Sequence, residues 1–219
     1  MINYTISYSN PHRHIVDFKL STETNGLARM QFQLAAWRPG RYELGNFAQN
    51  ILKWEAFDDK QTPLHFKKIT KDLWEVETNN SQSITITYNF YANQLDAGSC
   101  YLDEYQLYLN PVHCMFYIVD RIDEEYTINL KIPKKYTIAS SMQKNNNILK
   151  VTGYNVLAES PIICSDCLQH STYNVDGINF HLWFQGKCRP NWDKLKKDFT
   201  AFTTSQIEHF GEFPVDEYH

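Results

Sequence analysis

The sequence predicts a mainly β protein: an antiparallel sandwich or saddle-like pair of sheets over residues 1–168, then one strand and one long amphipathic helix over 169–219. Three observations carry this expectation. Arg29–Leu34, Ser83–Phe90 and Thr127–Ile132 alternate apolar and polar residues with period two, as strands with one buried face do. Turn-forming runs separate such segments: Thr24-Asn25-Gly26, Asp58-Asp59-Lys60, Asn79-Asn80-Ser81 and Asn145-Asn146-Asn147. No helical period lies between them, which excludes a parallel α/β architecture.

After about Gln169 the pattern changes. Ile178–Phe184 reads as a strand entered through the Val175-Asp176-Gly177 turn. Beyond Pro190, the residues Trp192, Leu195, Phe199, Phe202, Gln206, Ile207 and Phe210 recur every three or four positions, an apolar stripe on a helix over 191–210. Asn191 suits the N-cap, Asp193 the positive first turn, and Gly211 with Pro214 the stop. At 1.5 Å per residue this helix is about 30 Å long. The expectation is that it opens a second domain truncated at His219, and that its stripe either drives self-association or folds back onto the sandwich.

Composition narrows the function. The 219 residues carry 21 basic and 25 acidic side chains, a net charge of −4, with no Lys/Arg block, so a nucleic-acid footprint is not expected. The 14 Tyr, 13 Phe and 5 Trp are incompatible with a disordered chain. The longest apolar run, Cys114–Val119, is too short to span a bilayer, and the first residues lack the pattern of an export signal. Five cysteines, an odd number, read as reduced thiols in the cytoplasm. The acceptor patterns at Asn3-Tyr4-Thr5 and Asn79-Asn80-Ser81 carry little meaning in that setting.

Common catalytic signatures are missing: no H-E-x-x-H, G-x-S-x-G, phosphate-cradling loop or dinucleotide fingerprint occurs. His12 and His14 share a face if extended but lack a further ligand, and Cys164-x-x-Cys167 with His170 lacks the second pair a zinc knuckle requires. No metal site and no catalytic residue is therefore expected. The sharpest break in the strand pattern is Trp37-Arg38-Pro39-Gly40-Arg41-Tyr42. Pro39-Gly40 specifies a tight turn, with Trp37 and Tyr42 as flanking anchors. It reads either as a rigid corner or as a docking surface.

Taken with Tyr4–Tyr8, Asn10–His14 and Asn46–Ile51, that segment resembles the N-terminal domain of the glycyl-aminopeptidase family of zinc metallopeptidases. Tyr101-Leu102-Asp103 with Tyr108-Leu109-Asn110 is similar to that family's Y-L-D…F-N-G region, with Pro111 replacing the glycine. Glu159–Ile162 resembles the segment closing its first domain; Gly177–His181 and Phe210–Pro214 are similar to the entry of its catalytic domain. The resemblance implies a zinc-dependent parent whose H-E-x-x-H and downstream Glu lie in a thermolysin-like domain outside this chain, commonly with a PDZ domain after it. It further implies that the chain is inactive alone, frames the peptide-binding cleft and docks its own catalytic domain, with Asp103 or Glu104 meeting the free amine of a peptide substrate. The reading from another class is a free-standing β-sandwich that binds a partner through its aromatic-rich surface.

Overall fold

The computed structural model describes residues 1–219. Period-two alternation becomes burial directly. In Ile2–Ser7, Ile15–Glu23, Ser83–Tyr91 and Glu125–Leu130, every second residue (Ile2, Tyr4, Ile6; Val16, Phe18, Leu20; Ile84, Ile86, Tyr88; Tyr126, Ile128, Leu130) points inward. With Ile51–Asp58, Gln143–Asn145 and Ile148–Thr152 they form one seven-stranded sheet. A four-stranded sheet (Tyr117–Ile118, Arg29–Gln33, Leu73–Glu77, Phe66–Lys68) meets its buried face through Phe32, Trp54, Trp74 and Phe116. A second four-stranded sheet contains Thr137–Ala139, Ile162–Ser165, Gln106–Leu109 and Tyr101–Leu102. One contiguous cluster of 40 buried residues draws on all three sheets, so they share a single core.

Within these three sheets the pairing is antiparallel with one exception: Ile2–Ser7 runs parallel to Glu125–Leu130, Ile2 opposite Tyr126. The intervening chain contains the whole first four-stranded sheet and the strands Tyr101–Leu102 and Gln106–Leu109 of the second, and a connection of that length satisfies what parallel pairing demands.

Cys114–Val119, the longest apolar run, threads the core. The turn of helix Pro111–Cys114 ends there, and the irregular backbone after it has carbonyls that no sheet takes up. Three buried tyrosines satisfy them: Tyr88 Oη donates to Cys114 O (2.7 Å), Tyr154 Oη to Met115 O (3.2 Å) and Tyr4 Oη to Phe116 O (3.0 Å). Tyr4 Oη also accepts from Phe116 N–H at 2.9 Å. Burial raises all three phenols well above their ordinary pKa, keeping them neutral donors.

Past the turn at Asp166-Cys167, Leu168–Val175 and Ile178–Gln185 form a hairpin closed by Asp176-Gly177, both at positive φ (52° and 87°). Glu217–Tyr218 adds a third strand, parallel to Ile178–Gln185. Buried Val175 and Phe180 lie outside the 40-residue cluster and give this sheet its own small core. The C-terminal helix spans Trp192–Phe210; Asn191 Oδ1 accepts from Lys194 N–H at 3.1 Å, and Gly211 at φ 90° ends it.

The helix folds back onto this hairpin, not onto the sandwich. Trp192 meets Phe184 edge to face, Phe199 reaches Tyr173, and Thr203 Oγ1 lies 3.0 Å from Tyr173 Oη. The single stripe expected from sequence divides in two. Thr203 is the helix's buried residue, with Trp192, Leu195 and Ile207 half-buried, whereas Phe199, Phe202 and Phe210 are 39%, 58% and 75% exposed. The hairpin is narrow, so it covers the face centred on Thr203 and leaves an aromatic edge open.

Candidate functional site

The Trp37–Tyr42 segment joins the strand Arg29–Gln33 to the short helical turn Phe47–Asn50. Arg41 N–H donates to Arg38 O at 3.3 Å, closing a four-residue turn with Pro39 second and Gly40 third at φ 83°. That is type II geometry, which requires a residue tolerant of positive φ at the third position. Trp37 Nε1 donates to Arg41 O at 2.6 Å and staples the turn across its base. The expected anchoring holds only in this hydrogen bond: Trp37 is 50% exposed, and Tyr42 stands wholly in solvent. With no apolar neighbour on that side, Tyr42 anchors nothing within the chain.

Behind the turn lies a polar cleft. Arg38 Nη1 donates to Ala97 O at 3.0 Å, and Arg38 packs so tightly on Gly98 that a Cβ there would sit 2.9 Å from Nη2. His113 stacks on Phe47 at 3.9 Å, almost fully buried. Burial, then the charges of Arg38 and Arg41, push its pKa down to about 4, so it is neutral at pH 7. Burial alone would raise the Asp96 carboxyl, but hydrogen bonds from Gly98 N–H, Ser99 and Gln94 outweigh it and hold the pKa below the ordinary range. Arg41, Asn46, Gln49, Asn93 and Ser99 complete a wall of amide, hydroxyl and guanidinium donors suited to peptide-like groups.

Asp103 and Glu104 lie in the turn between Tyr101–Leu102 and Gln106–Leu109. Asp103 Oδ1 accepts from the N–H groups of Tyr105 and Gln106, each at 2.8 Å, which fixes that turn. Glu104 Oε2 lies 3.1 Å from His12 Nδ1, its carbonyl accepts from Tyr136 Oη at 2.9 Å, and His14 Nδ1 lies 2.5 Å from Leu102 O. Two histidines from the first turn thus meet the segment singled out about ninety residues later, His12 at the Glu104 carboxylate and His14 at the Leu102 carbonyl. Cys164 is buried, its thiol pushed up to about 12 by burial, and Cys167 lies on the turn leaving the domain; all five cysteines are unpaired. Sequence reading missed one cluster altogether. His181, Glu217 and His219 bring their ligand atoms within 4.8 Å of one another on the C-terminal sheet. The alternation places His181 opposite Phe180, but the parallel pairing with Glu217–Tyr218 has no local signal.

The zinc centre implied by the resemblance needs two histidines one helical turn apart and an intervening glutamate. The helix Trp192–Phe210 offers Glu208-His209 without the second histidine, so that donor set is not among these residues.

The fold is a β-sandwich with turn-borne polar clefts, followed by a hairpin and a long helix. Over its whole length the chain superposes on an aminopeptidase N family protein from Idiomarina loihiensis, with TM-score 0.90 and 23% identity, spanning 38% of that chain. A sequence profile of the Peptidase M61 N-terminal domain matches residues 3–166, and the chain belongs to that family. Leukotriene A4 hydrolase from Saccharomyces cerevisiae, with and without bestatin, aligns over 95% of this chain and 33% of its own, at 12% and 10% identity and TM-score 0.40. No curated protein matches this chain significantly. The chain therefore spans well under half the length of the solved structures it matches.

Proposed function

We propose that residues 1–168 are the non-catalytic N-terminal domain of a glycyl-aminopeptidase-like zinc metallopeptidase, and that residues 169–219 begin its catalytic domain. In this reading the sandwich frames one wall of the peptide-binding cleft, and the C-terminal unit docks the rest of the catalytic domain. The observation that carries it is the aromatic edge of the helix, where Phe199, Phe202 and Phe210 stand exposed in a row. A face of this size on a domain with an otherwise well-packed core marks an interaction surface. The strand Glu217–Tyr218 continues it, because its free edge can accept another strand. The cleft beside Arg41 and His113, and the turn at Asp103 and Glu104, supply polar groups for the peptide. Five unpaired thiols support a cytoplasmic setting.

The reading frame beyond the His219 codon tests this. An H-E-x-x-H with a downstream glutamate in that stretch is the expected result. A stop codon directly after His219 would overturn it in favour of a free-standing binding module.

A further inference from the structure

On the C-terminal sheet, pairing puts Tyr173 opposite Phe180, on the face where Tyr173 meets the helix. The alternate residues therefore share the other face: His170 opposite Trp183, Thr172 opposite His181, and Glu217 and His219 from the third strand. Their rings form a stack, the His170 imidazole over the Trp183 indole at 3.9 Å, His170 over His181 at 5.0 Å and His181 over His219 at 4.2 Å. Glu217 Oε1 lies 2.6 Å from His181 Nε2 and 3.5 Å from His219 Nε2. His181 Nε2 is buried and has no well-directed hydrogen bond despite that proximity.

The geometry points to a binding site for a divalent transition ion, zinc foremost, held by His181 Nε2, Glu217 Oε1 and His219 Nε2, with water in the fourth position. Two imidazoles and one carboxylate are a donor set zinc favours, and donors about such an ion stand roughly 3.3 Å apart; because the His181 and His219 rings lie parallel at 4.2 Å, one ion can meet both in-plane lone pairs only once the His219 side chain turns out of the stack. The surroundings support the assignment. His170 Nε2 lies 2.9 Å from His181 Nδ1, the outer hydrogen bond that fixes the tautomer of a metal-bound histidine and leaves its Nε2 lone pair facing the ion. The site joins two strands remote in sequence, so the ion fastens Glu217–Tyr218 to Ile178–Gln185.

Loading has a visible consequence. Trp183 Nε1–H donates to His219 Nδ1 at 3.2 Å, which requires that nitrogen to be unprotonated. A neutral histidine ligating through Nε2 carries its proton on Nδ1, so binding breaks the Trp183 bond and alters the indole's surroundings.

The test is titration of the 219-residue chain with zinc chloride by calorimetry, with cobalt(II) absorption as a second readout. The expected result is one ion per chain and a rise in melting temperature with zinc. Affinity should fall at least tenfold in His181→Ala and in Glu217→Gln. The latter changes an exposed side chain, so it keeps the test valid if His181→Ala misfolds. Cobalt should give a visible band of tetrahedral type without thiolate charge transfer, and Cys167→Ser/Cys188→Ser should bind as the unmodified chain does. Zinc should change the tryptophan fluorescence of the unmodified chain, and Trp183→Phe should keep the stoichiometry and lose that change. Absence of binding, binding indifferent to both His181 and Glu217, or loss in the cysteine variant would overturn the assignment.

Discussion

Tyr4→Phe isolates the device that lets an irregular segment cross the core. Tyr4 is 1% exposed, and its hydroxyl both donates to Phe116 O and accepts from Phe116 N–H. Removing one oxygen leaves a buried donor and a buried acceptor without partners. Each stranded group costs about 1–3 kcal/mol, and sharing between neighbours makes the pair worth about 2–4 kcal/mol. Tyr126→Phe is the matched control. Tyr126 is equally buried, but its hydroxyl has no hydrogen-bond partner, so its loss should be neutral or stabilising by up to about 1 kcal/mol. Urea denaturation followed by far-UV circular dichroism separates them: the midpoint drops by about 1 M for Tyr4→Phe at unchanged slope and holds or rises for Tyr126→Phe. Equal shifts in the two variants would refute the reasoning.

Acid should destabilise the chain in two overlapping windows. His113 has a folded pKa of about 4, below its ordinary value, so its contribution is complete above pH 6.5 and is lost as pH falls towards 4; His113→Phe should flatten stability across that range, where about 2–3 kcal/mol otherwise disappears. Glu124 is held at about 2, chiefly by its hydrogen bonds to Arg121 and then by the N-terminal ammonium, so its contribution is present above about pH 4.5 and lost towards 2. Glu124→Gln should remove on the order of 1–2 kcal/mol at pH 7 in urea melts, discounted for partial exposure, and almost nothing at pH 2. Gly40→Val should cost about 1–2 kcal/mol, since open space surrounds Gly40 and the penalty is its positive φ alone; an unchanged thermal melt would show that the turn relaxes. The exposed helix edge should promote association at high concentration, and Phe202→Glu should abolish it in light scattering; identical scattering from both chains would remove that role from the helix.

Local signals carried the strands and the helix termini because alternation, Asn-Gly turns and caps act over a few residues. Asn191 and Gly211 end the helix where side-chain chemistry places them, and Asp176-Gly177 closes its hairpin. The assignment of strands to three sheets, and the parallel pair Ile2–Ser7 with Glu125–Leu130, depend on partners more than a hundred residues apart. The candidate sites follow the same division. Pro39-Gly40 announces its turn, yet nothing local tells that Tyr42 faces solvent or that His12 meets Glu104. The His181–Glu217–His219 cluster exists only once the last strand pairs, so period and spacing pass over it. The helix stripe misled because its width depends on what it lies against, and a two-stranded hairpin covers less than a full sheet does.

The most direct test of the functional reading is hydrolysis of a glycyl anilide by the 219-residue chain and by the product of the open reading frame that encodes it. Turnover by the full product alone, abolished by a chelator, is the predicted result. Turnover by the 219-residue chain, or none by a folded, zinc-loaded full product, would contradict the assignment of this chain as a framing and docking domain of a zinc aminopeptidase.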